Sequence, residues 1–190
     1  NGTVGFRVGN YDKSQTLVID PFTTVASTYY GSIELDQAFG VAVGSNGNTT
    51  ITGYTQSPAF PVSAGPHQGS FAGSNDAFVV QFNPQGQRVW ATYYGGTSID
   101  QANAIAVDAS NNVIIAGVTA SNSGIATQGS AEPNIQGGSD AFVAKFGPNG
   151  IRQWGTYYGG QAVDRANGVA VDAAGDVYAT GFTYSDDFVA

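Results

Sequence analysis

A 64-residue internal repeat constrains this chain more than any other feature. The string Thr-Tyr-Tyr-Gly begins at Thr28, Thr92 and Thr156. Asp36, Asp100 and Asp164 keep the same interval, as do Ala38, Ala102 and Ala166, and Gly53, Gly117 and Gly181. With residues 76–119 laid on residues 140–183, 24 of 44 positions are identical, where unrelated segments would share roughly two or three. Such a chain builds one supersecondary unit several times and buries its core between neighbouring copies.

Within one period the pattern is that of strands. Ala104–Asp108 is a short apolar run ending at the turn Ser110-Asn111-Asn112, and Val113–Thr119 is a β-branched strand. A polar loop covers 120–139, Asp140–Phe146 reads as a third strand, and the turn Gly147-Pro148-Asn149-Gly150 leads into a fourth at Arg152–Tyr158. No window carries a helical period. The fold class expected is all-β, with β-propeller-type four-stranded antiparallel blades on the 64-residue repeat.

Naming the strands of a blade A to D from the inside outward, residues 38–95 supply one full set and 102–159 a second. The tail supplies A and B of a third, at Gly168–Asp172 and Asp176–Gly181. The head supplies C and D, at Thr16–Pro21 and Val25–Tyr30, with residues 1–24 as a lead-in and 25–190 as the repeats. The chain is thus expected to hold about three blades, one of them split between the termini. Closed propellers have four to eight blades, so two readings stand. Either this is part of a longer propeller, or copies join head to tail into a ring or filament. The strand edge that would make that join carries Leu17, Val18 and Ile19 at the head and Val169, Val171, Val177 and Tyr178 at the tail.

The elements Tyr-Tyr-Gly-Gly-x3-Asp-x-Ala-x2-(Ile/Val)-Ala-Val-Asp and Asp-Ala-Phe-Val recur in order over residues 25–190. They resemble the bacterial SBBP (seven-bladed β-propeller) repeat, found in long secreted or surface-attached proteins. The resemblance implies a propeller fold and a secreted, extracellular or cell-surface setting, and it brings no catalytic residues with it.

Charge narrows the partners. Six basic residues stand against 14 acidic ones, a formal net charge of −8, so nucleic acid and anionic membrane surfaces would be repelled. No run approaches the 18 apolar residues of a membrane span. Cysteine is absent, which excludes disulfides, thiol nucleophiles and thiolate metal sites. Methionine is absent even at position 1, so the chain is read as a processed or excised piece.

Repetition also sorts candidate site residues, because a residue present in every blade answers a folding problem and one present once could serve chemistry. Asp36, Asp100 and Asp164 precede the inner strands and are expected to fix turns through backbone N–H groups. Asp76 with Asp140, and Asp108 with Asp172, are read the same way, as are Gly53, Gly117 and Gly181. Tyr29, Tyr93 and Tyr157, with Trp90 and Trp154, are expected to fill the space between sheets, with sugar stacking as the alternative. His67 is the single histidine and is expected to be a solvated loop residue; one imidazole cannot form a multi-histidine zinc site. Glu34, Glu132, Arg165, Asp186 and Asp187 are single or irregular. No catalytic, cofactor or metal residue is expected.

The loops 56–75 and 120–139 differ most between repeats and suit weak polar contacts with polysaccharide or a protein surface. The function expected is a non-enzymatic extracellular structural or adhesive module, with self or missing blades as partners. The alternatives are a propeller binding glycan or protein through those loops, and part of a larger propeller hydrolase or lyase.

Overall fold

The computed structural model describes residues 29–63, 65 and 67–187, which contain ten strands and no helix. They are β1 (Asp36–Val43), β2 (Thr49–Thr55), β3 (Asp76–Phe82), β4 (Arg88–Tyr94), β5 (Asp100–Val107), β6 (Val113–Thr119), β7 (Asp140–Phe146), β8 (Arg152–Tyr158), β9 (Asp164–Val171) and β10 (Val177–Thr183). Blade 1 is the antiparallel sheet β1-β2-β3-β4, blade 2 is β5-β6-β7-β8, and β9-β10 form a two-stranded sheet. Strand order follows chain order throughout, as expected of all-β blades.

Strands B, C and D of blade 2 occupy the residues read from the sequence. Strand A begins four residues before Ala104, because Asp100 pairs with Thr119 across the ladder. The head strand Thr16–Pro21, the residues Leu17, Val18 and Ile19, and most of Val25–Tyr30 lie outside the described residues. The last two of that second segment, Tyr29 and Tyr30, are not in a strand.

Two backbone devices recur at the repeat interval. The A–B turns place Gly47, Asn111 and Gly175 at φ of 78°, 61° and 91°, the left-handed region that Gly and Asn tolerate best. Each A strand carries a bulge, seen as a register shift at Ala38/Gly40 in β1 and at Ala102/Ala104 in β5. Gly53 and Gly117 lie against these bulges. A Cβ there would come within 1.9 Å of the Gln37 and Gln101 carbonyl oxygens respectively, so any side chain would force the two strands apart.

The core lies between sheets. Ala77, Val79, Trp90 and Tyr94 of blade 1 interlock with Phe142, Ala144 and Phe146 of blade 2. The period-2 alternation of β7 sends Ala141 and Val143 to its opposite face, where they meet Ala166, Val169, Val171 and Val177 of the β9-β10 sheet. Val169, Val171 and Val177 therefore face blade 2, and of the four tail residues expected at an open edge only Tyr178 points outward, 58% exposed.

Candidate functional site

The most polar buried feature is a carboxylate node at the start of each A strand. Asp100 accepts from Thr119 Oγ1, from Ser121 Oγ at 2.7 Å and from Gly96 N at 2.8 Å. Asp36 accepts from Thr55 Oγ1, from Ser57 Oγ at 3.3 Å and from Ser32 N at 2.6 Å. Asp164 accepts from Ser185 Oγ and Gly160 N, both at 2.8 Å. Each serine also receives a linker N–H: Glu34 N to Ser57, Ser98 N to Ser121, and Ala162 N to Ser185. The node thus ties the inter-blade linker, strand A and the end of strand B together. Burial pushes the Asp100 carboxyl up, opposed by the bonds from Thr119, Gly96 and Ser121. Thr55, Thr119 and Thr183, with Ser57, Ser121 and Ser185, escape a reading centred on acidic residues. Their signal is a Thr-x-Ser string at the repeat interval.

A second node anchors the long loops. Asp76 accepts from Ala72 N at 3.0 Å and Gly73 N at 3.1 Å, and Asp140 accepts from Gln136 N at 2.8 Å and Gly137 N at 3.2 Å. In blade 1, Gln68 Nε2 adds a third bond to Asp76 at 2.7 Å while Gln68 Oε1 accepts from Gly95 N. In blade 2 the equivalent residue is Glu132, whose Oε2 accepts from Gly159 N at 3.1 Å. Burial pushes Asp76 up to about 6, and pushes Asp140 and Glu132 upward, the latter also repelled by Asp140 and Asp164.

These loops run along the outer strands. Ser63 N donates to Ala91 O and Tyr93 N to Gln68 O; one repeat later Thr127 N donates to Gly155 O and Tyr157 N to Glu132 O. The loops that differ most in sequence therefore do the same work, covering the backbone groups of a strand D edge. Phe60 and Ile125 are buried beneath them.

The aromatic pairs divide their roles. Tyr93 and Tyr157 are each 1% exposed and donate their hydroxyls at 2.8 Å to the Ser57 and Ser121 carbonyls. Burial pushes the Tyr157 phenol up to about 12. Tyr29, grouped with them by sequence, is fully solvent-facing and is not in a strand. The second tyrosine of the first two pairs crosses to the next blade. Tyr94 packs edge-on against Phe146, touches Phe142 and donates to Ile125 O at 2.7 Å. Tyr30 does the same one repeat earlier, packing edge-on against Phe82 and Phe60 and donating to Pro61 O. Arg88 and Arg152 reinforce both contacts, Arg88 Nη1 on Pro61 O and the Tyr30 hydroxyl, Arg152 Nη1 on Gly124 O and Ile125 O. Trp90 stacks on Phe146 and donates to Pro148 O at 2.9 Å, while Trp154 packs toward the β9-β10 sheet.

Asp108 forms an ion pair with Lys145 at 2.8 Å and accepts from Ser110 N and Asn112 N. Burial alone would raise its pKa; the Lys145 and Asn112 bonds overcome that and hold it at about 2. Asp172 caps its exposed turn through Ala174 N and Asp176 N. His67 is a half-buried loop residue and not the fully solvated one expected. Its ring lies 5.8 Å from Tyr94 and 6.0 Å from Phe146, because the loop folds back over the blade junction. Burial, helped by Arg152, lowers its pKa to about 4, so it is neutral at pH 7. Asp187 receives Gln161 N at 3.0 Å. The structure does not gather Glu34, Glu132, Arg165, Asp186 and Asp187 into one constellation: Glu34 and Asp186 are exposed, and Arg165 lies in β9. Among the described residues no group of three or more His, Asp or Glu is placed to hold a metal ion.

Two depressions among the described residues lie beside blade 2, and a smaller one lies beside Gln161 and Ser185. The first, of about 420 Å³, runs beside His67, Gln68 and Arg152 at the blade 1–blade 2 junction. The second, of about 380 Å³, lies between Ala141, Val143 and Tyr158 of blade 2 and Ala179–Thr183 of β10. Neither of these two brings a base, a nucleophile and an orienting group together.

Comparison with known proteins agrees with this geometry. The chain is 26% identical over 178 residues to an uncharacterized WD repeat-containing protein of Acanthamoeba polyphaga mimivirus, an alignment covering 80% of this chain and 13% of that protein. The chain thus spans a small part of that relative's length. Residues 153–188, which run from strand D of blade 2 through the β9-β10 sheet, match the Beta-propeller repeat family SBBP. Residues 153–188 carry an SBBP beta-propeller repeat, and the all-β, four-stranded antiparallel sheets before them are consistent with it.

Proposed function

We propose that this β-propeller module is a non-enzymatic structural or adhesive element that works outside the cell or on its surface. One observation carries the reading: the carboxylates Asp36, Asp76, Asp100, Asp140 and Asp164, all but Asp36 buried, each accept backbone N–H groups of the adjoining linker or loop. A hydrolase keeps at least one acid or base aimed at substrate. Here the carboxylates hold the fold, and the single imidazole is packed against two aromatic rings. A net charge of −8 fits a protein that stays soluble outside the cell.

The test has two arms. The purified chain is incubated with a panel of polysaccharides, peptides and esters, and product release is followed; none is expected, and turnover abolished by a single carboxylate substitution would overturn the non-enzymatic reading. Intact cells of the source organism are then treated with protease, and the protein should be digested without lysis. Protection until lysis would overturn the extracellular placement.

A further inference from the structure

We propose that the depression at the blade 1–blade 2 junction binds a terminal acidic sugar, one carboxylate-bearing ring at the end of an otherwise neutral glycan. The site rests on reading the module as a non-enzymatic adhesive element and gives that element a class of ligand.

Arg152 supplies the charge. Its Nη1 donates to Gly124 O and Ile125 O, both at 2.8 Å, and its guanidinium carbon lies 5.9 Å from the centre of the Tyr94 ring. Those contacts fix the plane of the group and leave the Nε and Nη2 hydrogens for another acceptor. Among the described residues the one ion pair is Lys145 with Asp108, so no carboxylate neutralises Arg152. Asp76, the acid of the adjoining loop, has its oxygens taken by Ala72 N, Gly73 N and Gln68 Nε2. A planar guanidinium held in place and short of an anion is suited to a carboxylate.

The rest of the depression suits the body of a sugar. His67 borders it and is neutral at pH 7, so its ring presents one donor and one acceptor, and neither is hydrogen-bonded to a described residue. The exposed Ser70 offers a hydroxyl and the half-buried Phe71 an apolar wall. The volume of about 420 Å³ falls within the roughly 300–1,000 Å³ of small-ligand sites.

Repetition separates this lining from the fold. Arg88 clamps Pro61 O one repeat earlier, as Arg152 clamps Gly124 and Ile125, so the arginine serves both junctions. His67 and Phe71 do not recur; Ala131 and Ile135 stand at those places one repeat later. The side chains that would meet the sugar ring are ones the blade does not require. Net charge then limits the ligand. At −8 the protein repels a polyanion, whereas a neutral glycan ending in one acid brings a single charge to a single unpaired cation.

The test titrates the protein, by calorimetry, with lactose capped by neuraminic acid, lactose capped by glucuronic acid, plain lactose, and the methyl ester of each capped probe. One or both acidic probes should bind with a Kd of about 1 mM, and the tighter of the two identifies the kind of acid. Lactose and the esters should bind at least about tenfold more weakly. Arg152→Gln should abolish binding. Because Arg152 also holds its loop, two further variants spare the fold: His67→Ala, which copies Ala131, and Ser70→Glu, which sets a carboxylate at the exposed rim. Both should keep the wild-type thermal melt, the first weakening binding about fivefold and the second abolishing it. No binding of either acidic probe up to about 10 mM, equal binding of plain lactose, or unchanged affinity in both of these variants would each overturn the site. So would tighter binding of polygalacturonate per sugar, or of a tripeptide through its free C-terminal carboxylate. Those results would leave the non-enzymatic reading standing, whereas release of the terminal sugar by the protein would sink that reading and leave the site.

Discussion

Gln81 in blade 1 and Lys145 in blade 2 sit one repeat apart, yet their surroundings have been rebuilt. Lys145 pairs with Asp108. Blade 1 has Gly44 at the place of Asp108, and Gln81 turns instead to Thr50 Oγ1 at 3.1 Å and receives Asn48 Nδ2 at 3.0 Å. Both partners changed together, so neither blade buries a lone charge. Gln68 and Glu132 make a second exchange of another kind. Gln68 donates to Asp76, but Glu132 replaces it while Asp140 remains an aspartate. Bonds to the backbone are kept in both blades. Side-chain charge is free to vary where it varies in pairs, and the uncompensated Glu132 marks a place where blade 2 holds strain that blade 1 does not.

The blades can be set against each other by mutation. Tyr94→Ala should cost the most, about 4 kcal/mol, since it empties a fully buried aromatic site. Tyr30→Ala, at a half-buried ring, should cost about half of that, and denaturant titration of both variants compares the two junctions. Next, Asp100→Ala should cost about 3 kcal/mol by stranding two hydroxyls and an N–H in a buried node. Asp36→Ala, at a more exposed node, should cost about 1 kcal/mol. Equal losses would show that exposure does not distinguish the nodes.

Lys145→Gln alone should cost about 1.5 kcal/mol by leaving Asp108 without its cation. Adding Asp108→Gly, which copies blade 1, should cost less than the two single changes summed. Strict additivity would mean that the pair is not a unit. The smallest effect runs the other way: Glu132→Gln should stabilise by about 0.5 kcal/mol at pH 7 by restoring the donor that Gln68 supplies. Glu132 has a raised folded pKa. Its stabilising contribution is therefore complete below its unfolded value and is lost as pH rises through the folded one. The advantage of the variant should fade as pH falls toward about 4, and thermal melts at both pH values read it. A constant advantage would remove the carboxylate from the explanation.

Much of the fold was legible before any coordinates. Val113–Thr119, Asp140–Phe146 and Arg152–Tyr158 are strands at the residues their composition and bounding turns marked, because apolar runs between Gly and Asn turns leave few alternatives. The nodes were half legible. Asp36, Asp100 and Asp164 stood out by interval, but the expectation of turn-fixing bonds to backbone alone overlooked the Thr and Ser hydroxyls, since those residue types serve too many purposes to be noticed singly. The crossing of Tyr94 into blade 2 depends on which face of a sheet meets which neighbour, and period-2 alternation is symmetric between faces. His67 was misplaced for a related reason. The polar composition of its loop concealed that the chain returns over an aromatic junction.

Tyr30 and Tyr94 each reach one blade forward into pockets one period apart. A 64-residue insertion or deletion between them would exchange one such pocket for its twin and leave no ring without a seat. Blade number is then a trait that the gain or loss of one 64-residue repeat can change in single steps. Each step yields a chain whose new junction is already furnished, so lineages can widen or narrow their propellers without passing through a protein that lacks a core.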